Sequence, residues 1–149
     1  MFVCAGNICR SPMAEALLRH VAKSRPALET LVVGSAGTIA LSGNLPCADA
    51  VAVMRRQFEL EIVANRARPL TRRLRADLAL DRETEREARA LKLRAPVEML
   101  GDHVGTGEEV EDPYGRSPRH YRDVAHQLKR LVELVVARLD TGIVSTPER

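Results

Sequence analysis

The residues best suited to chemistry lie close together near the start of the chain: Cys4, Ala5, Gly6, Asn7, Ile8, Cys9, Arg10 and Ser11. A short apolar stub, Met1 to Val3, leads into them, and Pro12 follows where a helix can begin, with Ser11 as its N-cap. A glycine and small residues between a strand and a helix N-terminus let successive backbone N–H groups, from Ala5 through Cys9, turn toward an anion. The helix end adds positive partial charge at the same spot. Arg10 supplies a planar fork that binds two phosphate oxygens at once, which lysine could not reproduce. Cys4, at the strand's end, faces that potential, which lowers a thiol below its usual value of about 8.5. Ser11 can donate its hydroxyl to Cys4, stabilising the thiolate and assisting its departure. A thiolate beside an anion site favours attack on a bound phosphoryl group, so that hydrolysis proceeds through a phosphocysteine in two displacements.

Two displacements need a proton donor that later acts as a base. Asp112, in Glu111-Asp112-Pro113-Tyr114-Gly115, is the candidate because Pro113 stiffens its loop; by itself an Asp-Pro pair also reads as a turn start. Glu108, Glu109 and Glu111 are expected to raise the local negative potential and favour the protonated acid. The chemistry requires no metal or other cofactor, and His20, His103, His120 and His126 are dispersed rather than at ligand spacing.

These residues must be positioned by elements that alternate between short β-branched runs and longer helical ones, which predicts an α/β fold. Strands are expected at Met1 to Val3, Leu31 to Val33 (closed by Gly34-Ser35-Ala36-Gly37), Asp77 to Asp81 and Val97 to Leu100. The five residues at 77–81 fit a turn of buried helix equally well. Helices are expected from Pro12, with Met13, Leu17 and Val21 at i+4 spacing, at Ala48 to Phe58, at Arg82 to Arg94 and at Pro118 to Leu139. Glu15 and Arg19 form an i,i+4 pair on the outer face of the first helix. The charged run from Arg82 to Arg94 reads as a solvated face. Strands separated by helices pair in parallel through right-handed crossovers, and ligands then bind beyond the strands' carboxyl ends. The loop at Cys4 occupies such a position.

With 149 residues the chain is one domain, here 1–140, followed by a tail at 141–149 that should fray. A 45% hydrophobic share with 29% charged residues excludes collagen, low-complexity disorder and a coiled coil as the main architecture. No apolar run approaches the ~20 residues of a membrane span, and Arg10 and Pro12 interrupt any secretory signal, so a cytoplasmic protein is expected, without membrane partners. A net charge of +3 is too slight to imply nucleic acid, and 3% aromatics leave few stacking platforms. Three cysteines are too few for a disulfide framework, so reduced thiols are expected.

The segment from Val3 to Glu15, VCAGNICRSPMAE, resembles the signature of the low-molecular-weight protein-tyrosine phosphatases, and Asp112-Pro113-Tyr114 resembles their acid loop in the same chain order. Ser35-Ala36-Gly37-Thr38 and Asn65-Arg66-Ala67-Arg68-Pro69-Leu70-Thr71 extend the resemblance over nearly the whole domain. It implies a four-stranded parallel twisted sheet with helices on both faces, and a phosphorylated protein as substrate. It also implies Cys4 as nucleophile, Arg10 as phosphate clamp, Asp112 as acid and base, and Asn7 and Ser35 as supports of the loop. Cys9 resembles the family's vicinal cysteine, which forms a reversible disulfide with Cys4; read on its own it is a small buried residue under the loop. Cys47 reads as a buried filler at a helix start.

The chain departs from the family at several positions. Asn65 stands where a histidine directed toward Ser35 is frequent, Asp81-Arg82 stand where many members carry methionine, and Gly115 replaces a second tyrosine. The strand before Cys4 is short. Ile8 and Tyr114 form apolar walls that suit an aromatic leaving group, which favours phosphotyrosine. Relatives acting on phosphoarginine share the layout and the glycine after the aromatic residue, but carry threonine at the position of Ile8. Arsenate reductases share the fold but need a resolving cysteine pair that this chain lacks after Cys47. The arginines at 66, 68, 72, 73 and 75 read as a solvated face or as a dock for an acidic phosphoprotein.

Overall fold

Alternation along three consecutive buried residues organises the molecule. In the computed structural model, which describes residues 1–142, Phe2–Cys4 form β1. Phe2 and Cys4 face one core and Val3 the other, because side chains alternate across a strand. β1 is flanked in parallel by β2 (Ser35–Gly37) and β3 (Leu78–Ala79), and β3 is followed by β4 (Glu98–Met99). The sheet order is β2-β1-β3-β4, so the winding reverses beside β1 and a crevice opens at the carboxyl end of that strand.

Helices cover both faces. On the side of Phe2 lie α1 (Arg10–Ala22), α2 (Ala48–Phe58) and the long α5 (Pro118–Asp140). Met13 and Leu17 of α1 and Leu128 and Leu131 of α5 are fully buried there, each contributing about 1.5–3 kcal/mol by leaving water. On the side of Val3, Ala36 and Ala79 pack with Ala88 of α3 (Arg82–Ala90), Val97 and Leu70. A single turn, α4 (Leu100–His103), follows β4 directly.

The second strand lies later than the hydrophobic run predicts. Leu31 and Val32 are exposed, and the ladder uses Ser35, Ala36 and Gly37 instead. The register sets the position: Phe2 pairs with Ser35, Val3 with Ala36 and Cys4 with Gly37, so the ladder along β1 falls on the residues after the hydrophobic run. Gly37 is required at this site, since a Cβ there would run into the carbonyl oxygen of Ala5. The first helix begins at Arg10 with Cys9 as its N-cap, two residues before Pro12, because the hydroxyl of Ser11 is engaged elsewhere. Glu15 is buried rather than on an outer face, although its pair with Arg19 forms at 3.0 Å. The charged helix is shorter than predicted, and its Glu85 is buried, accepting the N–H of Met99 at 2.8 Å. Of the tail predicted to fray, Thr141 and Gly142 form a turn and the rest lies outside the described residues.

Candidate active site

The loop leaving β1 bends back on Cys4. The Cys4 sulfur is 2.9 Å from the Ser11 Oγ and accepts the Asn7 N–H at 3.3 Å. Ser11 Oγ also accepts from Asn7 Nδ2 at 2.8 Å, so its single hydrogen is free to point at the sulfur, the arrangement a thiolate needs. Asn7 holds the left-handed conformation, φ +56°, which costs an ordinary side chain and which asparagine tolerates best. Its amide is fully used: Nδ2 also donates to Ser35 Oγ at 2.9 Å, and Oδ1 accepts the Arg68 N–H at 3.0 Å.

Beneath the loop, Ser35 donates to Glu15 Oε2 at 3.4 Å, and Asn65 Nδ2 donates to the same oxygen at 3.0 Å. The shorter amide therefore reaches Ser35 through the carboxylate rather than directly. Arg19 completes the pairing of this buried charge. The basic run splits accordingly: Arg68 braces the loop, donating from Nε to the Ser35 carbonyl at 2.8 Å, and Arg66 bonds carbonyls of its own segment.

Arg10 is buried, 3% exposed, and its guanidinium is oriented by three groups. Nη1 donates to Asp81 Oδ2 at 2.5 Å and to the Val110 carbonyl at 2.8 Å, while Nη2 lies 3.8 Å from Asp112 Oδ2. Both Nη1 hydrogens are thereby consumed, leaving Nε and Nη2 as the pair that can grip an anion. Burial opposes the guanidinium's charge, but the Cys4 thiolate, Asp81 and Asp112 more than offset it and hold Arg10 above its ordinary range. Asp81 is the residue that sequence reasoning missed. It caps α3, accepting the Thr84 N–H at 2.7 Å, and the Asp-x-x-Thr spacing at a helix start was the available signal. Burial pushes its carboxyl up, but bonds from Arg10 and Thr84 outweigh this and leave it below the usual value.

Asp81→Asn keeps the shape and removes the charge. It is expected to lower kcat/KM about tenfold, or ~1.4 kcal/mol, in steady-state kinetics, because Arg10 loses its orienting partner. The depressed carboxyl stabilises the fold above its unfolded value of about 3.9, and that contribution is lost as the pH falls through the lower folded value. The stability gap between parent and variant should therefore close in acid, as followed by denaturation at descending pH.

Asp112 is half-exposed at the rim, its Oδ1 accepting the Tyr114 N–H at 3.1 Å over the buried Pro113. Two of the three neighbouring acids expected to supply a negative field are paired with arginines of their own. Glu108 is bonded by Arg130, which takes its carboxyl down to about 2, Glu109 accepts the Arg82 N–H at 2.8 Å, and Glu111 pairs with Arg116 at 3.4 Å. Glu108 and Glu111 thus have cationic partners, Glu109 has only a backbone N–H, and the charged group that lies 3.8 Å from Asp112 is the guanidinium of Arg10. Ile8 is half-buried and Tyr114 exposed. Sequence reasoning also overlooked Ile39, Leu41 and Leu45, exposed on the segment that bonds to the loop through Ile39 N–H to the Ala5 carbonyl and Cys47 N–H to that of Ile8.

Cys9 is neither a partner of Cys4 nor a simple buried filler. It forms a disulfide with Cys47, across 38 residues of sequence, and Cys4 is the free thiol. Cys47 is correspondingly not a passive residue at a helix start, and the expectation of three reduced thiols does not hold. The physical reason lies in packing: the N-caps of α1 and α2 meet beside the loop, a proximity that spacing in the sequence does not reveal.

Residues 1–144 match the model of the family described as low molecular weight phosphotyrosine protein phosphatase. The chain belongs to this family. A curated phosphatase relative, "Probable low molecular weight protein-tyrosine-phosphatase EpsP" of Ralstonia solanacearum, is 38% identical over 145 residues, covering 93% of this chain and 94% of the relative. A protein-arginine-phosphatase of Bacillus subtilis is 34% identical over 147 residues, covering 93% and 95%. Among solved structures, the low molecular weight protein tyrosine phosphatase from T. tengcongensis superposes with a TM-score of 0.84 at 28% identity, covering 92% of this chain and 96% of that one. The four-stranded parallel sheet with helices on both faces is thus the phosphatase fold that the sequence predicted.

Proposed function

We propose that this phosphatase hydrolyses phosphotyrosine on proteins through a phosphocysteine at Cys4. The observation that carries the reading is the Cys4 sulfur receiving a hydroxyl and a backbone N–H inside a loop closed by a helix N-terminus, with Arg10 held behind it. The phosphoryl group sits on the loop's N–H groups from Ala5 to Cys9 and on Arg10 Nε and Nη2. The thiolate attacks phosphorus, the P–O bond to the leaving group breaks, and Asp112 gives its proton to the departing oxygen. Asp112 then takes a proton from water as the water oxygen attacks phosphorus. Cys4 leaves as a thiolate stabilised by Ser11, and inorganic phosphate is released. A cytoplasmic phosphoprotein is the substrate this reading calls for.

The aromatic leaving group is supported by Ile8 and Tyr114 and by the exposed apolar residues Ile39, Leu41 and Leu45 beside the loop. The names of the EpsP and T. tengcongensis relatives agree with it. A protein-arginine phosphatase is the second reading, favoured by Gly115 after Tyr114 and by the similarity to the B. subtilis enzyme. Side-by-side hydrolysis of phosphotyrosine and phosphoarginine peptides decides between them. The parent should prefer phosphotyrosine by about tenfold or more in kcat/KM, a difference of ~1.4 kcal/mol, and Ile8→Thr should shrink that ratio. A parent that prefers phosphoarginine would overturn the choice.

A further inference from the structure

The Cys9–Cys47 bridge joins the two places where the phosphate loop is anchored from outside. Cys9 is the N-cap of α1 and closes the loop; Cys47 is the N-cap of α2 and also donates its N–H to the Ile8 carbonyl at 2.8 Å. The two Cα atoms are 5.6 Å apart, within the range a disulfide spans. The sulfurs differ in surroundings. Cys9 is buried, with its sulfur 3.6 Å from the hydroxyl of the buried Tyr121, whereas Cys47 is only partly covered. Cys4 is outside the bridge.

We infer that the Cys9–Cys47 bridge is a thiol switch on the phosphate loop: a dithiol reductant opens it, and the loop then binds phosphate more weakly while Cys4 remains chemically unchanged. The inference rests on the reading of residues 4–11 as a phosphate cradle. A reductant thiolate attacks the more accessible Cys47 sulfur, the S–S bond breaks, and Cys9 departs as a thiolate. The helix N-terminus and the Tyr121 O–H favour that departure. Burial pushes the Tyr121 phenol above its ordinary range, so it stays a donor. The reductant's second thiol then displaces Cys47. Two electrons and two protons pass to the protein, which ends with two thiols, and the reductant ends as a disulfide. Thiols no longer bonded separate to van der Waals contact, so the covalent tie between the start of α2 and the end of the loop is lost and the Cys47 N–H to Ile8 carbonyl bond is left to hold them. The N–H groups of Ile8 to Arg10 then lose their preorganisation toward an anion. A cytoplasmic location would make the bridge reversible rather than permanent.

The protein is equilibrated in oxidised and in reduced dithiothreitol and alkylated in denaturant. Intact mass should show one modified thiol in the oxidised sample and three in the reduced one, and peptide mapping should place the single label on Cys4. Inorganic phosphate, titrated as a competitive inhibitor of aryl phosphate hydrolysis and by direct calorimetry, should bind about threefold to tenfold more weakly after reduction. Cys47→Ser should show the weaker affinity and no response to reductant. Equal phosphate affinity in both states, a label on Cys9 or Cys47 in the oxidised sample, or a reductant response surviving in Cys47→Ser would overturn the switch. If neither form binds phosphate, the failure belongs to the cradle itself, and the switch on it falls too.

Discussion

Cys4→Ser is expected to lower turnover of an aryl phosphate by about 10⁴-fold or more, the order seen when a nucleophile is removed from a covalent mechanism. The serine hydroxyl occupies nearly the same space, and Ser11 and the Asn7 N–H still surround it, but these groups stabilise a thiolate and cannot ionise an alcohol at neutral pH. Binding should survive. The loop N–H groups and Arg10 remain, and Arg10 loses one of the anions that occupied it, so calorimetry should find inorganic phosphate bound at least as tightly as by the parent. The parent, quenched during turnover, should carry phosphate on Cys4, and the variant none on a cysteine. Turnover by Cys4→Ser above about 1% of the parent would sink the phosphocysteine mechanism.

Asp112→Asn should lower kcat for a phosphotyrosine peptide by about 10²–10⁴-fold, the usual scale of general acid–base catalysis. The loss should be smaller for p-nitrophenyl phosphate, whose leaving group departs without a proton. That dependence on the leaving group separates an acid from a residue that merely shapes the rim. Asp112 sits 3.8 Å from the Arg10 Nη2, so the same substitution removes an anion facing the clamp. KM should therefore change little or fall while kcat drops. An equal loss for both substrates would mean that Asp112 positions rather than transfers a proton.

The family was legible in the sequence because its signature is local. Cys4, Asn7, Arg10 and Ser11 lie within eight consecutive residues that run from a strand end through a loop into a helix, a junction whose own backbone can build an anion site. The long helices were legible for a related reason. The helix Ala48–Phe58 falls where its periodicity places it, and Pro118–Asp140 ends within a residue of its predicted end. Parallel pairing followed from the alternation of strands and helices.

What the sequence could not supply depends on distance across the fold. Ser35 to Gly37 form a strand although they resemble a turn, because parallel register with Phe2 to Cys4 overrides the local preference of Leu31 to Val33. Glu108 to Glu111 look like an acidic cluster, yet Arg130 and Arg116 each pair with one member and Glu109 accepts the backbone N–H of Arg82. By itself, then, the sequence determined the fold class and the loop that can hold a phosphoryl group, since both arise from neighbours in the chain. The tertiary structure alone decided that Asp81 and Val110 aim Arg10, that Glu15 links Asn65 to Ser35, and that Cys9 pairs with Cys47 rather than Cys4. Each of these contacts joins residues 20 or more positions apart, and only packing the helices onto the sheet brings them within bonding distance.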